Sequence, residues 1–151
     1  IGYSLGSMFT YEIACQLNHR FAAVASFAGT MPVDPETCEL VGGMGVLHIH
    51  GKLDYIIDYD DDWDWKDGEH EGVGTMSNVP GMIEAWSMRA NCGSSDTDAD
   101  FFLEHITHSD CFGGARVEHY GIEFWEHTWP DEVDGTPTYQ LMWDFLSDFT
   151  N

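Results

Sequence analysis

The amino-acid sequence predicts an α/β fold in which a mostly parallel sheet is flanked by helices. Two observations carry this prediction. Short apolar runs at 21–28 and 46–50 are each closed by a glycine, which is typical of strands buried on both faces. Around them lie segments whose apolar residues recur at helical spacing. Strands alternating with helices favour parallel pairing, because a helix is the usual crossover between parallel strands.

The predicted elements follow one another along the chain. Helices are expected at 7–18, 79–91 and 138–149, and strands at 21–28, 46–50, 101–106 and 116–122. The last two strands are separated by a short stretch with Gly113-Gly114 as the turn. An antiparallel pair late in the chain is therefore compatible with the pattern. The acidic segment 58–71 is predicted to be a loop.

The charge balance excludes two classes of partner. Among 151 residues there are 27 Asp and Glu but only 5 Lys and Arg, which gives a formal net charge of -22. Nucleic acids and anionic membrane surfaces are bound by basic faces, which five cations cannot supply. Hydrophobic residues make up 43% of the chain, enough for a packed core, so the acidity must lie on the surface. Such a surface suits high salt, and we expect the full-length protein to melt at a higher temperature in molar salt.

A candidate nucleophile occurs near the start of the chain, in Gly2-Tyr3-Ser4-Leu5-Gly6. This pattern is typical of a sharp strand-to-helix turn that exposes a serine, with glycines where the strand and the helix crowd the turn. The helix that follows would direct its N-terminal dipole at Ser4. The backbone N–H of Leu5 is then the expected donor to an oxyanion.

Two further residues complete a possible catalytic triad in the order serine, acid, histidine. Asp54 follows the buried strand at 46–50, with Asp58 as the alternative acid. His127 follows the last predicted strand and precedes the terminal helix. Both therefore fall on loops at the carboxyl edge of the predicted sheet, where sites of open α/β sheets are built.

With these motifs the chain resembles the polyhydroxybutyrate depolymerase and feruloyl esterase-like branch of the α/β-hydrolases. The segments that carry the resemblance are Gly2-Tyr3-Ser4-Leu5-Gly6, Phe21-Ala22-Ala23-Val24-Ala25, Ala28-Gly29-Thr30-Met31-Pro32, Leu47-His48-Ile49-His50-Gly51 with Asp54, and His127-Thr128-Trp129-Pro130. The resemblance implies a secreted serine esterase without a cofactor, acting on polyester or aromatic ester. Ser4 would be the nucleophile, Asp54 the acid and His127 the base. The chain would be the C-terminal portion of one catalytic domain.

The sequence departs from the family pattern at two positions, with Ser7 and Glu126 where glycines are usual. In the family, the second oxyanion donor comes from an upstream loop, so we expect residues 1–151 alone to be a poor enzyme. Two alternatives to an esterase remain at this point. One is a serine peptidase of the same fold, and the other is a non-catalytic binding module.

Aromatic and imidazole side chains near the motifs are candidate substrate contacts. Trp63, Trp65 and Trp129 are expected either to form an aromatic subsite or to pack loops over the sheet, and His50 to line the site. No metal is predicted, although His48 with His50 and His105 with His108 have spacings that a zinc site can use. The spacing of Asp60, Asp62, Asp64 and Glu71 imitates a calcium loop, but Trp65 stands where such a loop needs glycine.

Four cysteines in so short a chain indicate an oxidising compartment. Cys92 and Cys111 bracket a polar stretch and are predicted to form a disulfide. Cys15 lies in a helical pattern and is interpreted as a buried apolar residue.

Overall fold

A computed structural model describes residues 1–33, 38–40, 43–64 and 74–150. Their strands are β1 (Gly2–Tyr3), β2 (Ala23–Phe27), β3 (Gly45–Gly51), β4 (Trp63–Asp64), β5 (Thr75–Met76), β6 (Ser94–Ala99), β7 (Leu103–Ser109), β8 (Val117–Ile122), β9 (Glu132–Val133) and β10 (Thr136–Pro137). Their helices are α1 (Leu5–Gln16), α2 (Val79–Arg89) and α3 (Thr138–Ser147), with 3-10 turns at Asn18–Arg20 and Phe112–Gly114. Within these residues no helix is both long and apolar enough to cross a membrane.

Six of the strands form one mixed sheet in the order β1-β2-β3-β8-β7-β6. The first four of these neighbours run parallel, and β7 and β6 add an antiparallel extension. The predicted α/β class is confirmed, and so is the antiparallel pairing late in the chain. The carboxyl ends of β1, β2, β3 and β8 consequently share one edge of the sheet.

Both faces of the parallel part of the sheet are covered, which explains its apolar sequence. Every residue of β3 is buried. On one face, Val24 and Val46 pack with α1 and α2, around the buried Trp86. On the other face, Ala25 and Leu47 pack with α3. The alternation of side chains along each strand thus divides the core into two layers.

Strand β6 was not predicted from the sequence, because its residues are polar and exposed and no hydrophobic period marks them. The strand forms because it pairs antiparallel with β7, from Ser94 opposite Ser109 to Ala99 opposite Glu104. The strand predicted at 101–106 begins later, at Leu103, because Phe101 and Phe102 lie exposed in the turn between β6 and β7.

Each of the four cysteines is in a disulfide, Cys15 with Cys38 and Cys92 with Cys111. The second pairing is the one that the sequence predicts. The interpretation of Cys15 as a plain buried residue was wrong. Cys15 is buried on α1, but Cys38, 23 residues later, packs against the same core layer and bonds to it.

Candidate active site

Ser4 lies at the turn between β1 and α1, at the carboxyl edge of the sheet. Its φ of 55° and ψ of -121° are rare for a residue with a β-carbon and give the chain its sharp reversal. The turn is fixed on both sides. The Ser4 N–H donates to the carbonyl of Phe27 on β2 at 3.0 Å, and the Ser4 carbonyl accepts from the N–H of Ser7 at 2.9 Å.

The two glycines of the motif differ in their surroundings. A β-carbon on Gly2 would lie 2.1 Å from the carbonyl oxygen of Gly6 and 2.4 Å from the hydroxyl of Thr10, so only glycine fits there. A β-carbon on Gly6 would meet nothing within 4 Å. The expectation that crowding requires glycine on both sides of Ser4 is therefore correct for Gly2 and wrong for Gly6.

Asp54 follows β3 in a tight turn, in which its own N–H donates to the carbonyl of Gly51 at 3.0 Å. Its side chain is fully buried. The oxygen Oδ1 accepts hydrogen bonds of 2.9 Å from the N–H groups of Ile56 and Ile57. This leaves Oδ2 directed at two imidazoles, His127 and His50.

His127 lies on the loop after β8 and joins Ser4 to Asp54. Its Nδ1 is 2.6 Å from Oδ2 of Asp54, and its Nε2 is 2.8 Å from Oγ of Ser4. With Asp54 ionised, Nδ1–H donates a hydrogen bond to the carboxylate, and Nε2 accepts a hydrogen bond from the Ser4 hydroxyl. The structure thus brings together the three residues predicted as a triad. In that arrangement a neutral imidazole can take the proton of the serine.

The loops that carry Asp54 and His127 are held to each other by backbone hydrogen bonds. Leu53 N–H donates to the carbonyl of Trp125 at 2.9 Å, and Lys52 N–H to that of Ile122 at 2.8 Å. The hydroxyl of Tyr3, next to the serine, donates to the carbonyl of His127 at 2.9 Å. This role of Tyr3 was not predicted from the sequence, although its position directly before Ser4 places it next to the site. The side chain of Glu126 points to solvent.

The carboxyl group of Asp54 is held in its ionised form. Burial alone would raise its pKa, but hydrogen bonds from side chains and backbone outweigh that effect and lower the pKa to about 2. The donors are His50, Ile57, His127 and Ile56. Asp54 is therefore an acceptor for the Nδ1–H of His127 at any pH near neutrality.

The N–H of Leu5, the expected oxyanion donor, belongs to the first residue of α1. The first turn of a helix offers no carbonyl acceptor to its own N–H groups, so such a group can serve a ligand. The N-terminal end of α1 also carries the positive end of the helix dipole, beside the Ser4 side chain.

The predicted tryptophan contacts differ in where they lie. Trp129 packs edge-on against Tyr3 and Phe27, with centroid distances of 6.0 Å and 5.5 Å, and Tyr3 in turn contacts the His127 ring. Trp129 is 38% exposed, so it retains an open surface beside the triad. Trp63 is half-buried on β4, which pairs with β5. Trp65 lies outside the described residues.

The expectation that His50 contacts substrate was wrong. Its side chain is completely buried, and its Nε2 lies 3.2 Å from Oδ2 of Asp54 and 3.1 Å from the carbonyl of Ile57. His48, two residues earlier on the same face of β3, lies behind it and is equally buried. The sequence shows that the two histidines share a face, but it does not show that this face is covered by α1 and α2.

The residues considered for metal binding have other partners. His105 and His108 both lie on β7 and, being three residues apart, point to opposite faces. Asp62 accepts from Asn78 at 2.7 Å and Asp64 from Thr75 at 2.8 Å, whereas Glu71 lies outside the described residues. In the described ranges no group of three or more His, Cys, Asp or Glu side chains converges as a metal site would require.

Fold and site together define an α/β protein with a serine, a histidine and a carboxylate hydrogen-bonded in series at the carboxyl edge of a parallel sheet. The chain is similar to part of the bifunctional acetylxylan esterase/xylanase XynS20E of Neocallimastix patriciarum, with 23% identity over 156 residues. The similarity covers 99% of this chain but 20% of that protein, so the chain spans about a fifth of the curated relative's length. No protein family model matches the chain. This similarity indicates a distant relation to an enzyme acting on carbohydrate esters.

Proposed function

We propose that the chain belongs to a serine carboxylic-ester hydrolase of the α/β-hydrolase fold and carries its nucleophile, acid and base. The observation that carries the proposal is the unbroken series from Oγ of Ser4 through the His127 ring to Oδ2 of Asp54, with links of 2.8 Å and 2.6 Å. The sharp turn at Ser4, with its positive φ, and the helix that begins at Leu5 are further support, because both favour attack by an exposed serine.

In the proposed reaction, Nε2 of His127 takes the proton of Ser4 while the serine oxygen attacks the ester carbonyl. The developing oxyanion accepts a hydrogen bond from the N–H of Leu5 and is stabilised by the dipole of α1. His127 then gives its proton to the departing alcohol. Water, activated by the same nitrogen, hydrolyses the acyl-enzyme and releases Ser4. Asp54 keeps Nδ1 protonated, which leaves Nε2 free to act as the base.

For the substrate we propose an acyl ester of a plant cell-wall polysaccharide, with short or aromatic acyl groups. The support is the similarity to an acetylxylan esterase together with the exposed apolar side chains next to the triad in sequence, Leu5, Leu53, Tyr55 and Ile56, and the half-exposed Trp129. Apolar surface at the mouth of a site suits an acyl chain or a phenolic ring. Trp63 and Trp65 remain proposed substrate contacts.

The test compares hydrolysis of four substrates by the full-length protein: acetylated xylan, a feruloyl ester, a short-chain polyhydroxyalkanoate and a peptide amide. We expect turnover of the two plant-type esters, with loss of about 10⁴-fold or more in Ser4→Ala. Tyr139→Phe, an exposed change on α3, is a matched control expected to leave turnover unchanged. Preference for the polyhydroxyalkanoate would overturn the substrate class, and preference for the amide the ester specificity. No turnover by folded protein would favour the binding module.

A further inference from the structure

A buried series of hydrogen-bonded side chains continues from Asp54 into the core, on the side away from Ser4. Nε2 of His48 is 3.0 Å from Nδ1 of His50, and Nδ1 of His48 is 2.6 Å from the hydroxyl of Tyr11. Ser26 contacts that hydroxyl at 3.1 Å, and Ser7 is hydrogen-bonded to Ser26. We call these five residues, Ser7, Ser26, Tyr11, His48 and His50, the buried relay. Each is buried in the core, and together they link α1, β2 and β3.

The acceptors at one end of the relay set the direction of its hydrogen bonds. Nε2 of His50 faces two oxygen atoms that only accept, Oδ2 of ionised Asp54 and the carbonyl of Ile57, so it carries a proton. When this is the one proton on the His50 ring, Nδ1 of His50 is an acceptor. Nε2 of His48 must therefore be the donor to it, which leaves Nδ1 of His48 to accept.

The other end of the relay supplies the donors that this direction needs. Burial raises the pKa of the Tyr11 hydroxyl, which therefore keeps its proton and donates to Nδ1 of His48. Burial, and then the neighbouring His50 and His119, lower the pKa of His48 far below its usual range, so His48 is neutral. The hydroxyl of Ser26 lies 3.1 Å from the Tyr11 oxygen and 3.0 Å from Nδ1 of His48, so it can donate to either atom, and Ser7 can donate to Ser26. In both cases every hydrogen bond points towards Asp54.

We propose that His50, oriented by His48 and Tyr11, is a positioning residue for the reaction, which acts by donating its Nε2–H to Oδ2 of Asp54. The inference rests on the proposed function of Ser4, His127 and Asp54. Oδ1 is held by two backbone N–H groups, and Oδ2 lies 2.6 Å from Nδ1 of His127 and 3.2 Å from Nε2 of His50. Among the described residues, His50 is the one side chain besides His127 that lies against this carboxylate. It shares its Nε2–H between Oδ2 and the carbonyl of Ile57, which is 3.1 Å away. Without it the carboxylate keeps its charge but loses a contact that fixes Oδ2 against His127.

The relay also gives Ser7 a role. Its side chain is fully buried, and its hydroxyl is the outermost donor of the series. Ser7, which stands where the resembling family usually has glycine, is thus integrated in the core.

The test uses three variants of the full-length protein. His50→Leu removes the donor, and His50→Gln keeps an N–H near the position of Nε2. His119→Leu is the matched control, because His119 is equally buried and stacks on His48. Within the described part of the chain, its ring is hydrogen-bonded to the hydroxyl of Tyr59 and the backbone carbonyl of His48 and not to Asp54. We expect His50→Leu to lower kcat by about 10-fold to 100-fold with KM nearly unchanged, the loss typical of one hydrogen bond to a charged group. His50→Gln should restore most of kcat, and His119→Leu should leave it within about 3-fold.

A second measurement does not depend on activity. The protein is labelled with nitrogen-15 at histidine and its NMR spectrum is recorded at pH 8. We expect both His48 and His50 to be protonated at Nε2 and unprotonated at Nδ1. A proton on Nδ1 of His50, or a folded His50→Leu with wild-type kcat, would overturn the proposal. If His50→Leu does not fold, the protonation of His50 in the NMR spectrum and the kcat of His50→Gln decide instead. If the wild-type protein turns over no ester, the proposed function fails, whereas the spectrum still supports or overturns the relay.

Discussion

Gly29 lies so close to Ser7 that a β-carbon built on it would stand 2.3 Å from Oγ and 2.5 Å from Cβ of Ser7. The contact joins the end of β2 to the first turn of α1, directly behind Ser4. The glycine that the sequence provides at the end of the predicted strand is therefore required by the side chain of Ser7 in α1.

Gly29→Ala should accordingly destabilise the protein by about 1–3 kcal/mol, the range for overpacking of a close-packed core. In the double variant with Ser7→Gly, much of that loss should disappear, because the two closest atoms are gone and the tight contact that remains is with the Ser4 carbonyl oxygen at 3.0 Å. Chemical denaturation of the two single variants and the double variant gives the coupling energy, expected at about 0.5–3 kcal/mol in favour of the double variant. Strictly additive effects would show that the two positions do not contact each other.

The two glycines of the serine motif should respond oppositely to the same change. Gly2→Ala places a β-carbon 2.1 Å from the backbone oxygen of Gly6, which cannot move without breaking the turn, so we expect loss of folded protein. Gly6→Ala meets open space in a helix, where alanine is favoured over glycine by about 1 kcal/mol, so we expect equal or higher stability. Thermal melting of the two variants distinguishes them. A stable Gly2→Ala protein would contradict the described turn.

The sequence was sufficient to predict that Ser4, Asp54 and His127 lie together. Each follows a strand of the same parallel sheet, and the carboxyl ends of such strands meet at one edge. Burial of His50 was not predictable in this way, because periodicity places His48 and His50 on one face but does not say what covers it. β6 escaped prediction because its strand comes from pairing with β7 and carries no apolar pattern. The Cys15–Cys38 bond depends on how a loop returns to α1, which no local pattern encodes.

Buried histidines should make the protein sensitive to acid. Burial, and then the neighbouring His50, lower the pKa of His119 to about 3, and burial lowers that of His48 well below its usual range. Unfolded chains bind these protons near pH 6.5, whereas the folded protein does not until far lower pH. Above pH 6.5 the protonation of these histidines therefore does not reduce the free energy of unfolding, which decreases as the pH falls from 6.5 towards 3.

As the pH falls from 5.5 to 4.5, His119 should lower the free energy of unfolding by on the order of 1 kcal/mol, and His48 should change it in the same direction. His119→Gln removes one of them, so its stability should decline less steeply over the same interval. Denaturation curves at several pH values measure both slopes. Equal slopes in the two proteins would mean that His119 is already protonated when folded. The Asp54 contribution is lost at lower pH, as the pH falls from the ordinary pKa of 3.8 to about 2.

The central claim is that Ser4 is a nucleophile activated by His127, and covalent labelling tests it most directly. The full-length protein is treated with a fluorophosphonate at pH 8 and analysed by peptide mass spectrometry, beside Ser4→Ala and His127→Ala. The account predicts one adduct, on the peptide that contains Ser4, absent from Ser4→Ala and formed at least about 100-fold more slowly in His127→Ala. Folded wild-type protein that acquires no adduct at Ser4, or that is labelled as fast without His127, would contradict it.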